Sequence, residues 1–208
     1  MNKEIVMAQF LKDTKKHVLT IKQDEGLYRH LLLSNPESSA CWYGIVTWPG
    51  CLCIYGDMGT YVFARLQDMF QFHRGNGFEC IDRRYWAEKL EATNKSSGHT
   101  EFSSEAFKEA LDTYYEEWTQ DDPEDDAEIN DPVVRKAVRE ELDDLVARAE
   151  NEYQAHELAR DFESSSGHEL RDFWEHDLTR YTHHFTWCCF AIRKAIEVYD
   201  RTKLQGDA

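Results

Sequence analysis

The apolar positions of this chain change their spacing at Thr60. Before it, short apolar runs are separated by turn residues. Residues 17–22 and 27–33 flank Asp24-Glu25-Gly26, which is a hairpin signal. Residues 42–48 form the next run, which stops at Pro49-Gly50, and residues 51–55 form a short, partly β-branched one. Four short strands joined by tight turns predict an antiparallel meander. From Thr60 onward Val62, Phe63, Leu66, Met69, Phe70 and His73 follow helical spacing, with Arg65 and Asp68 facing water. Arg74-Gly75-Asn76-Gly77 should end that helix, because its residues tolerate positive φ.

The remaining chain reads as helical. Asp82 caps a short helix to Leu90, with Ile81 and Trp86 at staple positions. Residues 94–100 are a polar loop. Ser103 caps a helix to about Trp118, with Phe102 and Phe107 as its staple. Residues 119–130 are acidic, contain Pro123, and read as a solvated linker. Asp131-Pro132 starts the next helix, expected to reach about Phe162 with Val138, Leu142, Leu145 and Tyr153 in its apolar stripe. Ser166 and Glu169 fit a capping box for a last helix carrying Leu170, Phe173, Trp174, Leu178, Phe185, Cys188, Cys189, Ile192 and Tyr199.

The fold class expected is α+β. An N-terminal antiparallel sheet of about four strands packs on a helix over residues 1–75, and an acidic helical half follows over 78–208. The chain between them is short, so both parts are expected to share one core in a single domain over 1–208.

Composition supports a packed protein. Of 208 residues 41% are apolar, and six Trp with eleven Phe exceed what a disordered acidic chain carries. No run of about 18 apolar residues occurs, so no membrane span is expected, and the mixed polarity of residues 1–16 predicts no secretion signal. The six cysteines lack the framework of a small secreted domain and are expected as free thiols in a reducing cytosol.

Charge changes the picture more. Residues 101–160 hold twenty acids against six bases, while residues 1–100 hold eleven against twelve. Such a block repels nucleic acid and favours a basic partner. Glu116-Glu117, Asp121-Asp122, Asp125-Asp126, Glu140-Glu141 and Asp143-Asp144 are paired acids on or near predicted helices. One reading is a solvated face that keeps the chain soluble. The other is rows of carboxylates that resemble a nucleic-acid backbone.

Other candidate chemistry is sparse. Gly56-Asp57-Met58-Gly59-Thr60 sits between a predicted strand and a predicted helix, where helix N–H groups can meet an anion. It lacks the Lys and the length of a phosphate loop, so it reads mainly as a turn with Asp57 or Thr60 capping the helix. His184 and Cys188 share a helix face, and Cys51 and Cys53 can share a strand face; these residues read as core packing and no metal is expected, with a zinc set as the alternative. No cofactor is expected. Glu169, Asp172, Glu175, His176 and Asp177 read as a solvated helix face or as a carboxylate–imidazole site. Cys80 has no base nearby in sequence. Arg83-Arg84 with Tyr85-Trp86 is too small a basic cluster to anchor nucleic acid and is expected to pair with the acidic helices.

One long segment carries a resemblance. Ile45-Val46-Thr47-Trp48-Pro49-Gly50, Tyr55-Gly56-Asp57-Met58-Gly59-Thr60-Tyr61-Val62-Phe63, Arg65-Leu66 and Asp68-Met69-Phe70 resemble a family of small bacteriophage and prophage proteins of unassigned function. Patches such as Tyr85-Trp86-Ala87-Glu88-Lys89-Leu90 and Phe185-Thr186-Trp187-Cys188-Cys189 extend it, and the acidic centre matches least. The resemblance implies a phage or prophage origin and supplies no catalytic residue. With the acidic block, it leads to the expectation of a non-enzymatic inhibitor in the host bacterial cytoplasm, bound to a host protein or complex with a basic surface. A small metal-dependent enzyme acting on nucleotides and a phage assembly component are the alternatives.

Overall fold

The computed structural model describes residues 3–120, 129 and 131–206. The chain forms two compact units, one of residues 1–100 with 181–208 and one of Glu101–Arg180. The division falls elsewhere than the 75/78 junction read from the sequence. The buried apolar side chains form two clusters among the described residues, where one shared core was expected.

The first unit is a sheet with a buried helix. Six strands run in chain order, each antiparallel to its neighbours: β1 (Val18–Glu25), β2 (Tyr28–Asn35), β3 (Ser38–Trp48), β4 (Cys51–Gly56), β5 (Tyr61–Ala64) and β6 (Leu90–Ala92). The antiparallel meander expected from the turn signals is present, with two more strands. β5 replaces the first turns of the helix expected from Thr60. Tyr61 and Phe63 are buried while Val62 and Ala64 are half-buried, a period of two that pairs with Ile54 and Leu52 of β4. Helical spacing holds only for Met69, Phe70 and His73, the buried residues of α2 (Met69–His73), capped by Asp68.

The helix α7 (His183–Gly206) lies against this sheet and is buried almost all round between Phe185 and Ile196. Trp187 meets Tyr43 of β3 edge-to-face at 5.5 Å. On its other side it meets Phe10 of α1 (Lys3–Asp13) at 5.0 Å. Phe185 packs on Tyr61 and Phe63, and Tyr199 on Phe70. Truncating such a ring to Ala costs about 3–5 kcal/mol. α1 had no counterpart among the sequence expectations, because its buried face is only Val6 and Phe10. α3 (Arg83–Ala87) is capped by Asp82, whose side chain accepts from the Tyr85 N–H, and Ile81 and Trp86 are both buried.

The second unit is helical. It contains α4 (Ser104–Gln120), α5 (Pro132–Arg148) and α6 (Glu152–Arg160). The short strands β7 (Thr100–Phe102) and β8 (Thr179–Tyr181) form a two-stranded sheet. The caps expected at Ser103 and Asp131 are present, accepting from the N–H groups of Ala106 and Val133. Two long expected helices are broken. The helix from Asp131 stops at Arg148, because Ala149 is extended and Asn151 caps α6 through the Gln154 N–H. The helix expected from Ser166 does not form there. Gly167 turns the chain at φ +81°, Asp172 is left-handed, and only a 3-10 turn, Phe173–Glu175, precedes β8. Leu170, Phe173 and Leu178 serve the second core, whereas the stripe from Phe185 onward serves the first. No described helix is long and apolar enough to cross a membrane.

Candidate functional site

The unit boundary sharpens the charge count. Glu101–Arg180 holds twenty-six acids and eight bases, a net of −18, and the rest of the chain nets +2. Among the described residues at least seven of those eight bases lie within 4.0 Å of a carboxylate of the same unit. Arg139 of α5 bridges Asp112 of α4 and Asp143, the latter at 2.7 Å. Lys108 also faces Asp143, Lys136 faces Glu140, and Arg148 faces Asp144. Glu141 accepts from the Ser165 N–H at 3.1 Å.

The expected acidic rows are therefore divided. Glu140, Glu141, Asp143 and Asp144 are engaged within the unit. Asp143 is held below the usual carboxylate range chiefly by its Arg139 hydrogen bond. Glu116 and Glu117 are exposed and have no ion-pair partner among the described residues. Asp121, Asp122, Asp125 and Asp126 lie outside the described residues. Glu150, Glu152, Glu163 and Glu175 add exposed carboxylates without an ion-pair partner among the described residues, and these give the surface its surplus.

A cleft of about 550 Å³ opens between α6 and residues 161–174. Trp174 stands at it 70% exposed, although helical periodicity had placed it in a core stripe; Tyr153, placed likewise, is 73% exposed. The cause is the broken helices: once α6 and the 3-10 turn have their own phases, both residues leave the apolar face. His156 also lines the cleft, with its ring 6.0 Å from Phe173 and its Nδ1 buried without a hydrogen-bond partner. Asp172 holds φ +56° with no side-chain cap, a conformation worth about 1–3 kcal/mol of strain for a non-glycine residue. Arg160 is occupied by Glu157 and Asp161, and Arg171 by Glu169. The cleft thus offers an indole face beside carboxylates, an arrangement suited to a cationic side chain. Nothing in the sequence spacing marked His156 or the exposure of Trp174.

The carboxylate–imidazole set does not assemble as one helix face. Glu169 faces Arg171, Asp177 caps the Thr179 N–H at 2.9 Å, and His176 packs on Phe173 and Tyr114.

The glycine loop joins two strands, so no helix N-terminus exists there. Gly56 (φ +148°) and Gly59 (φ +98°) make the turn, closed by Gly59 N–H to the Gly56 carbonyl at 3.0 Å. A Cβ on Gly56 would strike the Trp42 carbonyl. Asp57 and Thr60 are exposed and cap no helix.

The zinc set is separated. Leu52 and Ile54 face the core, so Cys51 and Cys53 face the other side of the sheet. Cys188 is buried in that core with its Sγ 3.7 Å from the Met58 carbonyl, and burial pushes its thiol up. His184 is half-buried at the start of α7. No group of three or more potential metal ligands occurs among the described residues. Cys80 is exposed and donates to the Asn76 carbonyl. Arg83 and Arg84, expected to pair with the acidic helices, have partners within the first unit. Arg83 donates to Thr186 Oγ1 and lies over the Tyr181 ring, and Arg84 faces Glu88.

No protein-family profile, curated protein or solved structure matches this chain. Its own geometry and charge are the grounds for a functional reading.

Proposed function

We propose that this chain is a non-enzymatic binding protein of bacteriophage or prophage origin. It acts in the host bacterial cytoplasm by holding a host protein or complex through the unit Glu101–Arg180, whose carboxylates occupy a basic surface that otherwise binds nucleic acid. One observation carries the reading: a single compact unit bears −18 while the remainder bears +2. Because at least seven of its eight bases are held in internal ion pairs, exposed acids such as Glu116 and Glu117 give the surface its surplus. Fields of this kind speed association and select partners, while desolvated aromatics supply affinity. Trp174, exposed beside Glu163 and Asp172 at the cleft, suits the anchor role.

The test is cross-linking and mass spectrometry on bacteria expressing the full chain, followed by competition with duplex DNA on the purified partner. The reading expects a nucleic-acid-binding partner from which DNA and this chain displace each other. A partner that holds DNA and this chain together without loss of affinity contradicts it.

A further inference from the structure

The first unit contains a buried cation without a counter-charge among the described residues. Arg193 sits on α7 among Ile192, Ala195 and Ile196 and is 4% exposed. Its Nε donates to the Gly77 carbonyl at 3.0 Å and its Nη1 to the His73 carbonyl at 2.5 Å. These carbonyls end α2 and its loop, and they supply partial charge only. No carboxylate lies within ion-pair distance of Arg193 among the described residues. The two acids nearby are already taken: Glu197 by Arg201 at 2.6 Å, and Asp200 by Arg74 through two hydrogen bonds at 2.8 and 2.7 Å. Burial accordingly pulls the Arg193 guanidinium below its usual range. A buried charge of this kind is costly unless something pairs with it.

The same guanidinium opens onto a cavity. The loop 74–77, Arg193, Glu197, Asp200 and Arg201 line a hollow of about 550 Å³, in which each of the two acids is paired with an arginine of the rim, so that Arg193 supplies the uncompensated charge. Nη2 of Arg193 has no hydrogen-bond partner among the described residues and lies over Gly75. A Cβ at Gly75 would collide with it, so glycine at this position is what lets the guanidinium reach the hollow. The N–H groups of Gly75, Asn76 and Gly77 bond to no acceptor among the described residues, and Gly77 is left-handed at φ +72°. Consecutive free amides beside a fixed guanidinium match the needs of a tetrahedral oxyanion.

From this we infer that the hollow bounded by Arg74, Arg193, Arg201 and the loop 74–77 binds a phosphoryl dianion, either free phosphate or the phosphate of a nucleoside monophosphate. Arg193 Nη2 and the loop amides hold the oxygens, and Arg201 closes the rim. The site is independent of the acidic unit's role.

The experiment is a titration of the full chain followed by amide chemical shifts of Gly75, Asn76 and Gly77. Inorganic phosphate, a nucleoside monophosphate and chloride at matched ionic strength are the three arms. The expected result is saturation with phosphate at a dissociation constant on the order of 1 mM, with no saturation by chloride. Tighter binding of the nucleotide assigns the phosphate to a nucleotide; equal or weaker binding assigns it to the free anion. Arg193→Met should abolish saturation. Arg201→Glu, an exposed rim change that leaves the core untouched, should weaken it at least about tenfold, the equivalent of about 1.4 kcal/mol. Absence of saturation at ten times the expected constant overturns the site. So does an equal response to chloride, or full retention of binding by Arg201→Glu.

Discussion

Arg139 of α5 holds Asp112 of α4 across the helix pair while its other terminal nitrogen binds Asp143 one turn on. The guanidinium also lies over the Tyr115 ring at 5.6 Å. One base therefore contacts two acids and joins two helices. It is the clearest case of how the acidic unit uses its few cations for structure, leaving carboxylates elsewhere uncompensated.

Arg139→Met should lower stability by about 1 kcal/mol, because it takes the partner from Asp112, leaves Asp143 to Lys108 alone and removes a ring contact. Arg148→Met, which removes an exposed i,i+4 pair with Asp144, should cost about 0.3–0.5 kcal/mol. Urea midpoints of the two variants measure the difference, and equal midpoints would show that Arg139 is no hub.

Much of this was readable in the chain. The turn pairs around Gly26 and Gly50, and the caps at Asp82, Ser103 and Asp131, announced real elements, because each is a local device with its own hydrogen bond. The breaks at Ala149 and Asp172 were not readable. Apolar residues continue through both at helical spacing, but they serve different surfaces. Val62 and Phe63 likewise fit a helix in sequence and a strand in space, since a run of four residues satisfies either period. The acidic block was legible as a count. Which acids remain uncompensated depended on pairings such as Arg139–Asp112, twenty-seven residues apart.

His73 gives the first unit a pH dependence. Its Nδ1–H donates to the Met69 carbonyl, its Nε2 is buried without a partner, and Phe63 and Trp86 enclose the ring. Burial holds its pKa down at about 3. The unfolded chain therefore binds a proton that the folded chain refuses. Stability is complete above the ordinary histidine pKa of 6.5 and falls as pH drops from there toward about 3, at up to about 1.4 kcal/mol per pH unit. Thermal midpoints between these limits should follow that slope. His73→Phe should flatten it, and an unchanged slope would refute the assignment.

Arg29 and Asp68 form a part-buried bidentate pair at 2.8 and 3.2 Å, with the guanidinium over the Phe70 and Tyr199 rings. Burial alone would raise the Asp68 carboxyl, but Arg29 and the Phe70 N–H outweigh it and hold it low. Its stabilisation is present above the ordinary carboxylate pKa and is lost as pH falls below that value. Arg29→Met leaves the half-buried Asp68 with the Phe70 N–H as its hydrogen-bond donor, and should cost about 1–3 kcal/mol by chemical denaturation.

The Gly56–Thr60 turn separates structure from function. Gly56→Ala, with its Cβ against the Trp42 carbonyl, should destabilise by several times the effect of Asp57→Ala, whose side chain is exposed. Calorimetry on both variants decides. If Asp57→Ala leaves stability intact but removes partner binding, the loop is a contact surface and not only a turn.

The central claim is that the uncompensated carboxylates of Glu101–Arg180 drive binding to a basic partner. The most direct measurement is the association rate with that partner between about 50 and 200 mM salt, for the native chain and for a variant carrying Glu116→Lys, Glu117→Lys, Glu150→Lys and Glu152→Lys. These four acids are exposed and outside the ion pairs formed among the described residues, so the fold should persist. The account predicts a rate that falls steeply with salt for the native chain. For the variant it predicts a rate at least about tenfold slower at low salt, with a shallower dependence. Equal rates for both chains, unchanged across that range of salt, would contradict it.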